Sequence, residues 1–224
     1  MKSIAWDGYL FSQPDSAFYF AGLQYKLAES VSNKKWMADA LNTQGTSFYI
    51  RQDYDKTIDY YTKSLIIAEE DGNKRRIAGC LNNIGAVYNL LGNDAKAMEY
   101  YTRGLKIAEE IGNKKFIGNT LLNIGMIYHD KGDLAKALDY YIKSLKIAEE
   151  VGNKKGIADI LSSIGIVNND LGNYDKAIKY YSRSLEIYEL LEQYDGISKT
   201  LINLGSIYFD QGDDEKPLNI TLEV

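Results

Sequence analysis

The chain is 224 residues long, 45% hydrophobic and 25% charged, which is enough apolar content for a core and excludes compositional disorder. A net charge of -5 and a pI near 5.1 exclude a dedicated nucleic-acid binder with a basic face. Cys80 is the only cysteine, so no intramolecular disulfide forms and a reducing compartment fits. The first residues, MKSIAWDGYLFS, lack the apolar run of a signal peptide, and no later stretch is long enough to span a bilayer. A cytoplasmic chain with no membrane partner is the expectation.

In chain order, residues 1–11 read as the remains of a helix, and Pro14 through Val31 as a lone second helix with its proline tolerated in the first turn. From there the sequence repeats itself. SLIIAEEDGNK starts at Ser64, GLKIAEEIGNK at Gly104 and SLKIAEEVGNK at Ser144, a step of 40 residues. LNNIGAVY at Leu81, LLNIGMIY at Leu121, LSSIGIVN at Leu161 and LINLGSIY at Leu201 keep the same step. The boundaries that follow are a partial unit 1–33, four full units 34–73, 74–113, 114–153 and 154–193, and an incomplete unit 194–224.

Within a unit the apolar spacing is helical. Leu81, Ile84, Tyr88 and Leu91 step by three and four along helix A; Ala97, Tyr101, Leu105 and Ala108 do so along helix B. Gly92, Gly132, Gly172 and Gly212 close helix A, and Asn93, Asp133, Asn173 and Asp213 are placed to cap helix B. Gly72, Gly112 and Gly152 close helix B, and Asn73, Asn113 and Asn153 open the next helix A. Gly45, Gly85, Gly125, Gly165 and Gly205 fall in mid-helix, where glycine costs about 1 kcal/mol against alanine. Their recurrence predicts a close helix crossing, with Thr57, Ala97, Ala137 and Ala177 as its other small side. The tyrosine pairs from Tyr60-Tyr61 to Tyr180-Tyr181 are expected to fill the core. Pro217 interrupts the last helix B, so the terminal face is expected to be covered by the short tail or by weak self-association.

The run Ile84-Gly85-x-x-Tyr88, with Ala97 nine residues on and Tyr101 four further, resembles the tetratricopeptide repeat. The 40-residue unit is similar to its long-helix variety, found in Leu-Gly-Asn polarity proteins, kinesin light chains and bacterial signalling proteins. The resemblance covers residues 13–213. It implies an all-α, right-handed superhelical solenoid of antiparallel helix pairs, its concave wall lined mainly by helix A. Asn168 departs from the pattern where the helix-A aromatic belongs. Ser64, Gly104, Ser144 and Ser184 replace a usual alanine.

Catalysis fails on inventory. His129 is the only histidine, and its repeat-equivalents are Tyr49, Asn89, Asn169 and Phe209, a variable surface column. One His and one Cys in different repeats make no metal site, and no cofactor is expected. The pairs Glu69-Glu70, Glu109-Glu110 and Glu149-Glu150 read as a solvated face. By the resemblance, the residue before Ile84 faces the groove and holds an asparagine that contacts ligand backbone. That column is Thr43, Asn83, Asn123, Ser163 and Asn203, and an amide supplies both donor and acceptor. Asn89, His129 and Asn169 form a second column. Asp130, Asp170 and Asp210 form a third, which suits a ligand carrying Lys or Arg. The basic carboxylate clamp of chaperone-binding repeats is missing, since Asn42, Thr46, Gly79, Asn82 and Asn83 stand at its positions. Binding of an acidic C-terminal tail in that manner is not expected. The function expected is a scaffold that binds a peptide or protein in the groove. The alternative is the sensory portion of a larger signalling protein, such as a histidine kinase or nucleotide cyclase, with the wording GNKKGIA and the abrupt end in its favour.

Overall fold

The computed structural model describes residues 13–211, all of whose regular structure is helical. The helices are α1 Pro14–Ser30, α2 Lys34–Ile50, α3 Tyr54–Glu70, α4 Lys74–Leu90, α5 Asp94–Glu110, α6 Lys114–Asp130, α7 Leu134–Glu150, α8 Lys154–Asp170, α9 Tyr174–Leu190 and α10 Tyr194–Asp210. Each is 17 residues long. Each is therefore about 25 Å in length. Three-residue turns join them, so two helices and two turns make the 40-residue period. The even-numbered helices α2 to α10 are helix A, and the odd-numbered ones are helix B. The chain forms two compact units, Met1–Phe116 and Ile117–Val224, each built of helices packed on their chain neighbours.

The turns explain the punctuation. Gly72 sits at φ +66°, and the Asn73 amide donates back to Ala68 O at 3.0 Å, closing α3 through a left-handed residue. The Asn73 side chain then accepts from the Arg76 amide at 3.2 Å and opens α4. Asn93, Asn113, Asp133 and Asn153 cap in the same way. Asn173 does not: its side chain makes no capping bond. Gly212 and Asp213, together with residues 1–11 and Pro217 and the tail after it, lie outside the described residues, as does the cover or self-association expected from them.

The mid-helix glycines make room for a ring. A Cβ added at Gly85 would stand 2.8 Å from the Tyr101 ring, and at Gly45, Gly125 and Gly165 about as close to Tyr61, Tyr141 and Tyr181. The partner across the crossing is thus a tyrosine sixteen residues on, and not Thr57, Ala97, Ala137 or Ala177. The atoms nearest each glycine belong to the aromatic side chain. Those four tyrosines are buried, as the core reading expects, while Tyr60, Tyr100, Tyr140 and Tyr180 are only half-buried. Tyr100 stacks on Tyr88 at 5.5 Å and Tyr140 on Tyr128 at 5.4 Å. Lys96 and Lys136 lie over the Tyr88 and Tyr128 faces. At Asn168 the stacking aromatic is lost, and its amide donates to Ile164 O at 2.8 Å instead.

The serines that replace alanine are hydrogen-bonded across the helix pair. Ser64, Ser144 and Ser184 donate to the carbonyls of Ala38, Gly118 and Ala158, each at 2.8 Å and each 26 residues upstream. Gly104 is the gap in this series. A Cβ there lies 3.4 Å from Leu81 Cβ and 3.6 Å from Ala78 O, the carbonyl 26 residues upstream. Gly104→Ser is expected to restore the bond and to remove a helix glycine, stabilising by about 1 kcal/mol. A thermal melt unchanged or lowered would show that the Ala78 carbonyl is out of reach.

Candidate functional site

In the first unit the polar residues of α2 and α4 meet. The Asn83 amide donates from Nδ2 to Asn42 Oδ1 at 3.0 Å, joining two A helices across 41 residues of chain. Arg76 forms a two-point ion pair with Asp39, Nε to Oδ1 at 2.8 Å and the second nitrogen to Oδ2 at 2.9 Å. These residues line an open cavity of about 640 Å³ together with Lys35, Asn73, Arg75, Gly79 and Phe116. Ala38, Ser64 and Cys80 form its floor. Ser64 and Cys80 approach at 3.3 Å, and burial pushes the Cys80 thiol up from its ordinary value, away from the reactive thiolate. Asn89 is half-buried near the end of α4 and does not line this cavity.

The same 41-residue step recurs in the second unit, on α6 and α8. His129 Nε2 lies 2.7 Å from Asp170 Oδ2. A carboxylate only accepts, so Nε2 carries the proton. Asp130 stands 3.7 Å from the other ring nitrogen. His129, Asp130 and Ser163 share a cavity of about 130 Å³ with Met126, Tyr141 and Ile166. Ser163 is turned inward: its hydroxyl donates to Asp159 O at 3.0 Å. Asn169 buries its side-chain oxygen without a hydrogen-bond partner among the described residues. Asn123 is half-buried and already engaged. Asn203 is half-buried on α10, and Asp210 is exposed at its end; neither lines that cavity.

Three features escaped the sequence reading. Lys35, Arg75 and Arg76 put cations at the first cavity, although the clamp positions hold none. The doublets Lys34-Lys35 and Lys74-Arg75 carry that signal, but they read as part of the turn wording. Asn42 belongs to the asparagine network from a column that the reading did not single out. The acidic ends of helix B are also more than a solvated face. Glu70 pairs with Lys34 at 3.2 Å and Glu110 with Lys74 at 2.9 Å, joining the open ends of the α2–α3 and α4–α5 hairpins. Lys74 holds the Glu110 carboxyl below its ordinary value. Among the described residues no three His, Cys, Asp or Glu side chains are grouped to hold a metal ion. No described helix is long and apolar enough to cross a membrane.

Comparison with known proteins agrees with the geometry. No curated protein matches the chain. Among solved structures, BtubC (BKLC) from P. vanneervenii superposes with a TM-score of 0.80 at 20% identity, covering 92% of this chain and 87% of that one. A signal-transduction ATPase with a tetratricopeptide repeat sensor, from Pyrococcus horikoshii, gives 0.76 at 19% identity over 95% of this chain, which spans 33% of that protein. NprR in complex with its cognate peptide NprX gives 0.66 at 21% identity, over 94% of this chain and 62% of that one. At these identities the likeness is one of fold. The tetratricopeptide repeat model itself matches residues 36–110, 116–189 and 156–216. With the paired 17-residue helices, the glycine–tyrosine crossing and the 40-residue step, this match makes the chain a member of the tetratricopeptide repeat family.

Proposed function

We propose that the chain is an interaction scaffold, one repeat array that binds a peptide or protein along the polar faces of its A helices and catalyses nothing. The observation that supports this most is the pre-ordered polar contact between successive A helices, Asn42 to Asn83 in one unit and His129 to Asp170 in the other. Each contact fixes the rotamers of its side chains and leaves hydrogen-bonding capacity unspent. Asn83 still offers its oxygen as an acceptor and Asn42 its nitrogen as a donor, which suits a peptide main chain. The unpartnered oxygen of Asn169 fits the same use. In the second unit Asp130, Asp170 and Asp210 favour a ligand with Lys or Arg. NprR, of the same fold, is a complex with a peptide.

The test uses peptides selected from a random display library against the whole chain. Asn83→Ala with Asn123→Ala keeps the helices, alanine being the better helix former. Each lost bond is worth roughly 0.5–1.5 kcal/mol, so the pair is expected to weaken binding about tenfold. Glu109→Ala with Glu149→Ala, at the helix-B ends, is expected to leave it unchanged. The reverse pattern would place the ligand on the other face and overturn the reading.

A second reading rests on the sensor neighbour, of which this chain spans 33%. On it the array is the sensory portion of a larger signalling protein, a histidine kinase or nucleotide cyclase. A catalytic segment in the adjoining reading frame is the expected finding, and its absence would remove this reading while leaving the scaffold intact.

A further inference from the structure

The cavity of the first unit is positive in a chain that is negative overall. Lys35, Arg75 and Arg76 line it against one carboxylate, Asp39, while the whole chain carries -5. Arg76 is committed to Asp39. Lys35 and Arg75 are exposed and make no ion pair among the described residues, although their chain neighbours Lys34 and Lys74 are both paired to glutamates. Two cations facing one concavity repel each other and keep their water unless an anion enters.

The arrangement is peculiar to this place in the array. Where Arg76 stands, the other units have Trp36, Phe116, Gly156 and Gly196, and where Asp39 stands they have Gly79, Asn119, Asp159 and Lys199. The Lys155 equivalent of the free cations is bonded to Asp159 at 3.2 Å. Gly79 and the Phe116 ring, 3.5 Å from the position of the glycine's missing Cβ, pack together as part of the cavity's lining. A volume of about 640 Å³ is in the range of a peptide or small-ligand site. The Asn42–Asn83 pair sits in the same cavity to meet a main chain.

We infer that the cavity between α2 and α4 binds an extended peptide through its Asp or Glu side chains, with Lys35 and Arg75 as the receiving cations. Arg76, held by Asp39, is a fixed part of the cavity's wall. This inference rests on the scaffold reading above and names the ligand class for one unit. It does not require the chaperone-type clamp, whose positions remain Asn42, Thr46, Gly79, Asn82 and Asn83, nor a free C-terminus.

The probe is a short, N-acetylated and C-terminally amidated peptide alternating Glu and Ala, fluorescently labelled, with a Lys-Ala peptide of equal length as its counterpart. Anisotropy titrations of the full chain are expected to show binding of the acidic peptide, weakening as salt is raised, while any binding of the basic one is expected to be unchanged by Asp39→Asn. Lys35→Glu with Arg75→Glu is expected to lower affinity for the acidic probe more than tenfold with the thermal melt unchanged. Asp39→Asn, which frees Arg76, is expected to raise affinity several-fold. Asp71→Asn makes the same charge change outside the cavity and is expected to do nothing. Equal binding by the charge-reversed variant, or equal gains from Asp39→Asn and Asp71→Asn, would overturn the inference. If the acidic probe fails while library peptides still bind and respond to the asparagine variants, the scaffold reading stands and the acidic preference falls. Loss of both would sink the two together.

Discussion

Gly125→Leu is expected to destabilise the protein by about 3 kcal/mol or more, toward the upper end of what overpacking a core costs. Even the first added carbon has no place. A Cβ on Gly125 lies 2.6 Å from two ring atoms of Tyr141 and 3.3 Å from Tyr140 Cβ. Tyr141 is 2% exposed, and its ring is packed in the core cluster it shares with Ile160, Ile164 and Val167, so displacing it disturbs that core. The α6–α7 pair must therefore separate, which also breaks the Tyr128–Tyr140 stack. Gly79 supplies the control on another A helix. A Cβ there meets only the Phe116 ring, at 3.5 Å, an ordinary contact, so Gly79→Ala is expected to gain about 1 kcal/mol of helix propensity. Chemical denaturation of both variants checks the pair of signs. A melt of Gly125→Leu matching that of the parent would show that the glycine–tyrosine crossing does not hold the hairpin.

The repeat, the helix pairs and the turn chemistry were legible because each rests on a local rule read at many positions. The 40-residue step, the glycine before the cap and the three-and-four spacing agree from unit to unit. The partner of the mid-helix glycine was not legible. Gly85 to Ala97 and Gly85 to Tyr101 are both sensible pairings in sequence, and only the crossing geometry chooses the ring. The buried serines are a similar case. A Ser in an alanine column reads as a tolerated small residue, and its bond to a carbonyl 26 residues away needs the neighbouring helix in place.

The site was legible to the level of columns. Counting by 40 aligns Asn83 with Asn123 and Asn203, which hold equivalent positions on their own helices, but side chains meet across helices at a step of 41, as in Asn42–Asn83 and His129–Asp170. One residue of offset separates what is equivalent from what is in contact. It hid Asn42, and with it the cationic cavity. A shorter step, of 37 residues from Asp39 to Arg76, hid the ion pair. Such contacts depend on the stagger of neighbouring helices, which no local rule fixes.

Alkaline unfolding at about pH 11 is the other large effect expected, with the helices lost in a transition that the buried tyrosines set. Burial pushes the hydroxyls of Tyr61, Tyr101, Tyr141 and Tyr181 above their ordinary value. Tyr188 is raised by burial first and then by its bond to the Asp159 carboxylate at 2.7 Å. In the unfolded chain these groups ionise near pH 10, while in the folded chain they keep their protons. Their contribution is fully present below that pH and falls above it by about 1.4 kcal/mol per pH unit for each tyrosine. The four most strongly raised, Tyr101, Tyr141, Tyr181 and Tyr188, together remove about 6 kcal/mol one unit above it, comparable with the whole stability of a typical domain. The exposed lysine–carboxylate pairs that also weaken there contribute little by comparison. Phenolate absorbance followed beside far-ultraviolet circular dichroism distinguishes the cases. The expected record has an early, non-cooperative rise from the exposed tyrosines. A steeper second rise then coincides with the loss of helix. Tyr141→Phe keeps the ring and removes one ionisable group, so its transition is expected at higher pH. Complete ionisation of all 19 tyrosines with the helical signal intact would mean that the rings are not sealed against the glycines.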